Sequence, residues 1–434
     1  MTTFDHILPA VSDVLVAHKT ILSSLDWIFI NRDLNGKVRL IVPDTVQKNY
    51  TARCKVEAIT TDLVQRLGAH AYPLESSILY EQDRMFACDG TASFPLEGFE
   101  NVWVVDRLAT EGNWASIAPV TTGVPRVVFF SIKGGVGRST ALAASAFSLA
   151  QAGKRVLVFD LDLESPGLSS ALLPNERRPT FGIADWLVED LVDNGDAVLE
   201  EMLVTSTLSH DGEIYVVPAH GRDAGEYVAK LGRVWMPKTG ANGVRQNWSQ
   251  RLVRLIDTFE QRWHPDVILI DSRAGIDEVA SSCVTDLGAG LVLLFAIDGE
   301  QTWSGYQILF RHWHRSGVVR DIRERLQIVG AMIPELDSID YFASLREHAA
   351  DQFTDELYDE VPPGEATGDC WNFDETDESA PHYPWAIQWH RSFAALRSLH
   401  SRLEAVDMKE VSAIFGSLID GLQRSITGEG DSRD

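Results

Sequence analysis

The spacing of apolar residues changes near residue 120 and divides the chain into two parts. In the first part, "HILPAVSDVLVAHKTILSSL" has the three-to-four-residue spacing of a helix, and so do residues 47–67. Two apolar runs, "DWIFI" and "KVRLIV", flank Asn35-Gly36, a dipeptide typical of the tight turn in a β-hairpin. A further run, "ENVWVVDRL", predicts a strand. We therefore predict a small α+β domain over residues 1–120, in which no catalytic motif is found.

From Arg126 onward, short apolar runs alternate with helix-like stretches. The runs "RVVFFS", "RVLVFDLD", "DVILIDS", "GLVLLFAI" and "LQIVGAMI" have no polar alternation, which is typical of strands buried on both faces. Their alternation with helices favours a parallel sheet covered on both sides. We predict a doubly wound, mostly parallel α/β domain over residues 121–434, closing with helices from about Trp385 to Ile426.

Two charged stretches interrupt this alternation. Residues 351–380 contain eleven acidic residues, no Lys or Arg, and Pro-Pro-Gly, which predicts an acidic inserted loop. Just upstream, residues 310–326 contain five arginines. Neutralising the acidic loop, docking a partner and binding a polyanion all fit this stretch, and we favour neutralisation.

Composition narrows the classes of function. The net charge is −25, which disfavours sequence-independent binding of nucleic acid by the surface as a whole. Four cysteines lie far apart and form no CxxC pair, which argues against a zinc ribbon, a redox dithiol or a shared iron–sulfur cluster. The longest apolar run, residues 289–297, is too short to span a bilayer. We expect a cytoplasmic protein that acts without a membrane.

Residues 129–140, "FFSIKGGVGRST", predict a phosphate-binding loop between a strand and a helix. Glycines let backbone N–H groups crowd around phosphate oxygens, and a helix N-terminus adds partial positive charge. The hydroxyl of Ser139 is placed to bind Mg²⁺, whereas arginine stands at 138 where such loops have lysine. The predicted nucleotide contacts in this loop are Gly134, Gly135, Val136, Gly137, Arg138, Ser139 and Thr140.

Two acidic motifs follow the loop in sequence. Asp160 and Asp162 leave the end of the strand in "VLVFDLDLESPGL", and Asp271 ends the strand in "DVILIDSRAG". Carboxylates at the carboxyl edge of a parallel sheet face the same crevice as the loop. One of the first pair could hold Mg²⁺ through water while the other positions an attacking water. Gly275 could offer its backbone N–H to the terminal phosphate.

Together, "KGGVGRST", "DLDLESPGL", "IYVVPA" and "DVILIDSRAG" resemble the deviant Walker A ATPases of the MinD/ParA type, in the SIMIBI class of P-loop NTPases, over roughly residues 126–426. The resemblance implies that the cofactors are ATP and Mg²⁺. It also implies that Lys133 reaches across an ATP-sandwiched homodimer to the partner's phosphates. Asp162 would position the hydrolytic water, with Ser139, Asp160 and Asp271 near Mg²⁺. The implied catalytic set is Lys133, Arg138 and Asp162.

The sequence departs from that family at three points. Arg138 replaces the second lysine, Ile132 replaces a small residue, and the Asn that often reads adenine after "LQIVG" is absent. No guanine-recognition motif occurs, so ATP is favoured over GTP. Arginine keeps the charge but changes its geometry, and a displacement of about 1 Å can cost roughly a hundredfold in rate. We therefore expect Mg-ATP binding with slow hydrolysis.

Three functions remain open. The first is an ATP-driven dimerisation or assembly switch that acts on a protein partner through the N-terminal domain; the KGGVGR form resembles a subgroup placed in bacterial conflict and anti-phage systems. The second is a partition or positioning ATPase, which the acidic charge and the mixed polar face of "EVSAIFGSLIDGLQRSI" disfavour. The third is a non-hydrolysing scaffold stabilised by nucleotide.

Overall fold

The computed structural model describes residues 2–427 apart from 89–90, 92, 108–111, 241–242, 361–369 and 394–397. The chain forms two compact units, Met1–Ala115 and Ser116–Asp434. Within the described residues, no helix combines the length and apolar character needed to cross a bilayer.

The first unit is a five-stranded mixed sheet with α1 and α4 on one face and the short α5 on the other. The strand order is β3-β2-β1-β5-β4. Asn35-Gly36 does join β1 to β2, and Gly36 has a φ of 76°, as a tight hairpin turn requires. Apolar residues of α1 and α4 pack against one face of the sheet. The elements are β1 (Ile28–Arg32), β2 (Val38–Pro43), β3 (Ile78–Glu81), β4 (Ser93–Pro95) and β5 (Val102–Asp106), with α1 (Ile7–Ala17), α2 (Lys19–Leu22), α3 (Asp44–Lys48), α4 (Tyr50–Leu67) and α5 (Arg84–Cys88).

The second unit contains the predicted parallel sheet. Its eight strands have the order β15-β14-β13-β6-β12-β7-β9-β8, and every neighbouring pair is parallel except β8 with β9. A separate two-stranded ribbon is formed by β10 and β11. The strands are β6 (Arg126–Ser131), β7 (Arg155–Asp160), β8 (Val204–Thr205), β9 (Glu213–Val217), β10 (Lys238–Thr239), β11 (Arg245–Gln246), β12 (Val267–Ala274), β13 (Leu291–Ala296), β14 (Leu326–Ile333) and β15 (Trp385–Gln388).

Twelve helices of the second unit are described. Because β6, β7, β12, β13 and β14 run in one direction, their carboxyl ends meet at one edge of the sheet. The helices are α6 (Arg138–Gln151), α7 (Leu168–Leu172), α8 (Ile183–Asp190), α9 (Gly195–Leu199), α10 (Tyr227–Val234), α11 (Trp248–Trp263), α12 (Glu278–Thr285), α13 (Glu300–Arg315), α14 (Val319–Ile322), α15 (Ser338–Glu356), α16 (Leu399–Glu404) and α17 (Met408–Thr427).

The prediction that the chain closes with helices from Trp385 is wrong at its start. Residues Trp385–Gln388 form β15, the edge strand beside β14. Helix α17 lies over this strand so closely that a Cβ added at Gly421 would come within 2.5 Å of Trp385. The run is only four residues long, and its pairing with β14 decides its conformation more than its own periodicity does.

The acidic stretch at 351–380 begins inside a helix, since α15 continues to Glu356; residues 361–369 lie outside the described part. Three of the five upstream arginines pair with it, namely Arg311, Arg320 and Arg323. Arg311 Nε lies 3.0 Å from Glu356, and Arg323 Nη1 lies 2.8 Å from Asp359. These contacts agree with the interpretation that the arginines neutralise the acidic stretch.

Candidate nucleotide-binding site

The glycine-rich loop leads directly from the central strand β6 into helix α6. Gly135 and Gly137 have φ values of 77° and 81°, in the left-handed region that glycine adopts without strain. Gly137 is the residue that precedes the first turn of α6, a helix of 14 residues. The free N–H groups of that turn therefore open onto the carboxyl edge of the sheet, as an anion site requires.

The sheet brings the predicted carboxylates together beside this loop. Asp160 and Asp271 are register partners across β7 and β12, and Asp271 also lies opposite Phe129 of β6. Asp162 follows two residues after the end of β7. Strand pairing thus places residues more than a hundred positions apart in one crevice, as the motif order predicts.

The guanidinium of Arg138 is hydrogen-bonded to the carboxylates of this crevice. Its Nε donates to Asp271 at 2.8 Å, Nη1 donates to the hydroxyl of Ser131 at 2.9 Å, and Nη2 donates to Asp162 at 3.3 Å. Only 7% of Arg138 is exposed. The hydroxyl of Ser139 donates to the second oxygen of Asp271 at 2.5 Å. Arginine at 138 is therefore the counter-charge of two carboxylates.

Asp160 is the least satisfied carboxyl group of the crevice. It is fully buried, its Oδ2 accepts from the backbone N–H of Leu168 at 3.2 Å, and its Oδ1 has no hydrogen-bond partner in the part of the chain that the structure describes. Burial, with the charges of Asp271 and Asp162 adding to it, raises the pKa of Asp160 to about 8. The pKa of Asp162 is also raised, by burial, although Arg138 opposes this shift. Such groups are satisfied by a cation or a proton.

The residues present fit a magnesium ion that is shared with phosphate. Mg²⁺ takes one or two carboxylates and completes its shell with water and phosphate oxygens. Ser139 and Asp271 already touch, and the buried Asp160 Oδ1 lacks a donor. Within the described ranges, no three acidic, His or Cys side chains are grouped closely enough to hold a metal unaided.

Lys133 is the exposed cation of the loop. It makes no hydrogen bond or ion pair with any residue that the structure describes, in contrast to Arg138. Behind it, Ile132 packs against Gly305 of α13, where an added Cβ would come within 2.3 Å of Ile132 Cγ2. The bulky residue before Lys133 is thus accommodated by a glycine on the neighbouring helix.

This close approach predicts that Gly305→Ala weakens the loop. The added methyl group must displace Ile132 or move α13, and overpacking of this kind costs about 1–3 kcal/mol. We expect a lower midpoint of urea unfolding and weaker Mg-ATP binding. The matched control is Gly416→Ala in α17, where an added Cβ meets nothing within 4 Å. That helical glycine should gain stability on substitution, and equal effects at the two positions would contradict the packing argument.

The remaining predicted contacts are placed as follows. Val136 is buried in the core of the second unit, so only its backbone can face a ligand, whereas Thr140 lies partly exposed in the first turn of α6. The N–H of Gly275 donates to the carbonyl oxygen of Ser131 at 2.9 Å, so a phosphate contact there requires this bond to open. Arg273 Nη1 lies 2.6 Å from Glu164, and this pair links the end of β12 to the segment after β7.

Three residues of the site escaped prediction from the sequence. Ser131 holds Arg138, Tyr227 of α10 donates its hydroxyl to the carbonyl of Leu163 at 2.6 Å, and Met332 lies against Gly137. Met332 has a φ of 55°, unusual for a residue with a side chain, and it lies near the end of β14, in the segment where the adenine-reading Asn is absent. No sequence signal marks Tyr227, since α10 is short and its partner is a backbone atom.

Comparison with known proteins agrees with the resemblance of the sequence motifs to MinD/ParA-type proteins. The model of the CobQ/CobB/MinD/ParA nucleotide binding domain matches residues 127–377. Septum site-determining protein MinD of Escherichia coli K12 is 34% identical over 93 residues, which are 21% of this chain and 31% of that protein. The aligned part therefore spans about a third of that relative.

Solved structures of similar proteins share little sequence with the chain. The pNOB8 ParA protein bound to nonspecific DNA is 16% identical, with a TM-score of 0.44, over 70% of this chain and 100% of that chain. MinD from Pyrococcus horikoshii OT3 with Mg-ADP is 19% identical, with a TM-score of 0.42, over 71% of this chain and 99% of that chain. The family model alone covers more than half of the sequence. The chain belongs to the CobQ/CobB/MinD/ParA nucleotide-binding domain family.

Proposed function

We propose that the chain is a Mg-ATP-binding, slowly hydrolysing P-loop ATPase whose nucleotide state switches a dimer or a larger assembly. The observation that carries the proposal is one crevice in which Ser139, Asp160, Asp162 and Asp271 meet the glycine-rich loop and a buried arginine. A structural role alone does not require so many carboxylates beside an anion-binding helix terminus.

Phosphate oxygens would bind to the backbone N–H groups of the loop and of the first turn of α6. The positive end of the helix dipole favours the same anion. Asp271 and the hydroxyl of Ser139 would hold Mg²⁺, with Asp160 beside it. The metal would neutralise charge on the phosphates. Binding then exchanges the Ser139–Asp271 hydrogen bond for contacts with the metal, since the same oxygens serve both.

Arg138 supplies a physical reason for slow hydrolysis. For Asp162 to position a water molecule, its carboxylate must be free of the guanidinium that lies 3.3 Å away. To contact phosphate, Arg138 must also leave Asp271. In each turnover, the planar Arg138 guanidinium must therefore break several hydrogen bonds and move. A lysine, with a single ammonium group, would not require such a rearrangement.

Lys133 suits a role between two subunits, because it is exposed and has no partner among the described residues. We expect Lys133→Ala to abolish ATP-dependent dimerisation in analytical ultracentrifugation. The control is Lys409→Ala, which removes an exposed lysine from α17. A wild-type chain that stays monomeric with Mg-ATP, or a Lys133→Ala chain that dimerises as the wild type does, would contradict the proposed assembly.

A non-hydrolysing scaffold is the second candidate, since Asp162 is held by Arg138. Steady phosphate release above background would exclude it. A partition or positioning role is weaker, because α17 buries Val411, Ile414, Phe415 and Leu418 within the second unit and so uses its apolar face for packing. Binding of DNA or of anionic vesicles at physiological salt would revive that role.

The setting we propose is control of a protein partner through the first unit, in a bacterial anti-phage system. This part rests on the resemblance of the KGGVGR loop. It is tested by plating phages on bacteria that carry the wild-type or the Lys133→Ala chain with its neighbouring genes. Equal plaque numbers for both across a phage panel would contradict it.

A further inference from the structure

The first unit contains an open cleft that the ATPase proposal does not use. The cleft has a volume of about 650 Å³ and lies on the sheet face opposite α1 and α4. Strands β1, β2 and β3 supply its floor, and α5 borders it. A volume of this size suits a small organic molecule.

Strand pairing determines the chemistry of the floor. Asn31 of β1 lies opposite Arg39 of β2, and Ile41 of β2 lies opposite Leu79 of β3. Side chains alternate between the faces of a strand, so Arg39 and Ile41 share the same face. The floor thus has a polar end formed by Asn31 and Arg39 and an apolar part formed by Ile41 and Leu79.

The polar end holds donors that lack acceptors. Asn31 is 3% exposed; its Oδ1 accepts from Arg107 Nε at 3.0 Å, while its Nδ2 has no acceptor among the residues described. The buried Nε of Arg39 has no acceptor within the described ranges either, and its guanidinium lies 4.7 Å from the centre of the Tyr72 ring. A buried donor without an acceptor, such as Arg39 Nε, is costly, so an acceptor placed at this end of the cleft would be favourable.

Arg107, the other arginine of the cleft, is already satisfied. Besides Asn31, it donates to the carbonyl oxygens of Cys88 at 2.6 Å and Ala87 at 2.9 Å. It therefore fastens α5 to the sheet and does not compete for a ligand.

Among the described residues, no carboxylate of the cleft forms an ion pair with Arg39, although the charge of Arg39 contributes to lowering the pKa of Asp33. Asp33 accepts hydrogen bonds from the Tyr72 hydroxyl and from two backbone N–H groups. Glu81 is level with Pro43, four residues along β2 from Arg39, which is roughly 13 Å at the rise of a strand. In the described part of the cleft, Arg39 is thus a cation without an ion-pair partner and can meet the charge of a ligand.

We propose that this cleft binds a small organic oxyanion, with a carboxylate or phosphate group on an apolar body. The oxyanion would accept from Arg39 and from Asn31 Nδ2. The apolar body would cover Ile41 and Leu79 beside Phe86, which is largely exposed for an aromatic residue. The cleft is built from residues of the first unit alone, and the proposal stands whether or not the chain hydrolyses ATP.

The test is calorimetric titration of the full chain with three probes that share a phenyl ring and differ in the polar group. Benzoate carries a carboxylate, phenyl phosphate a phosphate, and benzyl alcohol no charge. We expect one or both anions to bind at least roughly tenfold more tightly than benzyl alcohol, as a charge-assisted contact predicts. The anion that binds more tightly identifies the head group. Equal binding of all three, or no binding up to about 10 mM, would overturn the proposal.

Two variants locate the binding. Asn31→Asp keeps an oxygen for Arg107 but places a carboxylate opposite Arg39, and Arg39→Gln removes the charge. Both variants should bind the anions at least roughly tenfold more weakly and bind benzyl alcohol as the wild type does, provided that circular dichroism shows a folded chain. Arg66→Gln, on α4 and paired with Asp13, is the control and should bind as the wild type does. Anion binding retained in a folded Asn31→Asp chain, including binding at the phosphate-binding loop, would overturn the assignment.

Discussion

Asp162→Asn is expected to reduce steady phosphate release at least roughly a hundredfold while leaving Mg-ATP binding within about threefold of the wild type. Asn keeps the size of the side chain and can still accept from the N–H of Ser165, as Asp162 does at 3.2 Å. It loses the negative charge that orients and polarises a water molecule. Removing that charge also releases one bond of Arg138, so binding has no reason to weaken.

The control for this prediction is Asp420→Asn, an exposed position on α17. Both variants should be assayed at saturating Mg-ATP, so that the rate reports catalysis and not affinity. Unchanged phosphate release in Asp162→Asn would mean that another group positions the water. Loss of nucleotide binding together with the activity would mean that Asp162 is a binding residue.

Arg138→Lys is expected to increase phosphate release by roughly tenfold, an unusual direction for a substitution in a phosphate-binding loop. A lysine has one ammonium group and cannot bridge Asp271, Ser131 and Asp162 together as the guanidinium does. Asp162 is then free for water, and the ammonium can follow the phosphate. A rate equal to or below that of the wild type would contradict the view that Arg138 restrains the site.

Arg138→Ala tests the contribution of Arg138 to the stability of the fold, apart from its effect on hydrolysis. Removing the guanidinium leaves Asp271 buried with only the Ser139 hydroxyl as a side-chain partner, so we expect the free energy of unfolding to fall by about 3 kcal/mol. Urea unfolding of the variant and of the wild type measures this loss of stability. The control is Arg155→Ala, which breaks an exposed pair with Asp266 and should cost less than about 1 kcal/mol.

The sequence was sufficient to predict the parallel sheet and the grouping of its carboxylates. Uninterrupted apolar runs identify strands buried on both faces, and residues near the carboxyl ends of parallel strands must lie at the same edge of the sheet. This is why Asp160 and Asp271 could be placed side by side across β7 and β12. The hairpin at Asn35-Gly36 was equally predictable, because a two-residue signal decides the turn.

What the sequence did not reveal depends on contacts between distant segments. Arg138 could be expected to meet phosphate, but its three-way pairing with Asp271, Asp162 and Ser131 follows from side-chain geometry that no local pattern encodes. The edge strand β15 was missed because four residues carry too little periodicity, and its neighbour β14 decides its conformation. The Tyr227 contact with Leu163 was missed because a backbone acceptor has no residue type to search for.

The central claim, that this crevice binds Mg-ATP despite the arginine at 138, is tested most directly by calorimetric titration of the chain with ATP, with and without Mg²⁺. The account predicts one ATP per chain, bound more tightly with Mg²⁺ than without it, and loss of this magnesium dependence in Ser139→Ala. Absence of measurable ATP binding in the presence of Mg²⁺, or an affinity that magnesium and Ser139→Ala leave unchanged, would contradict it.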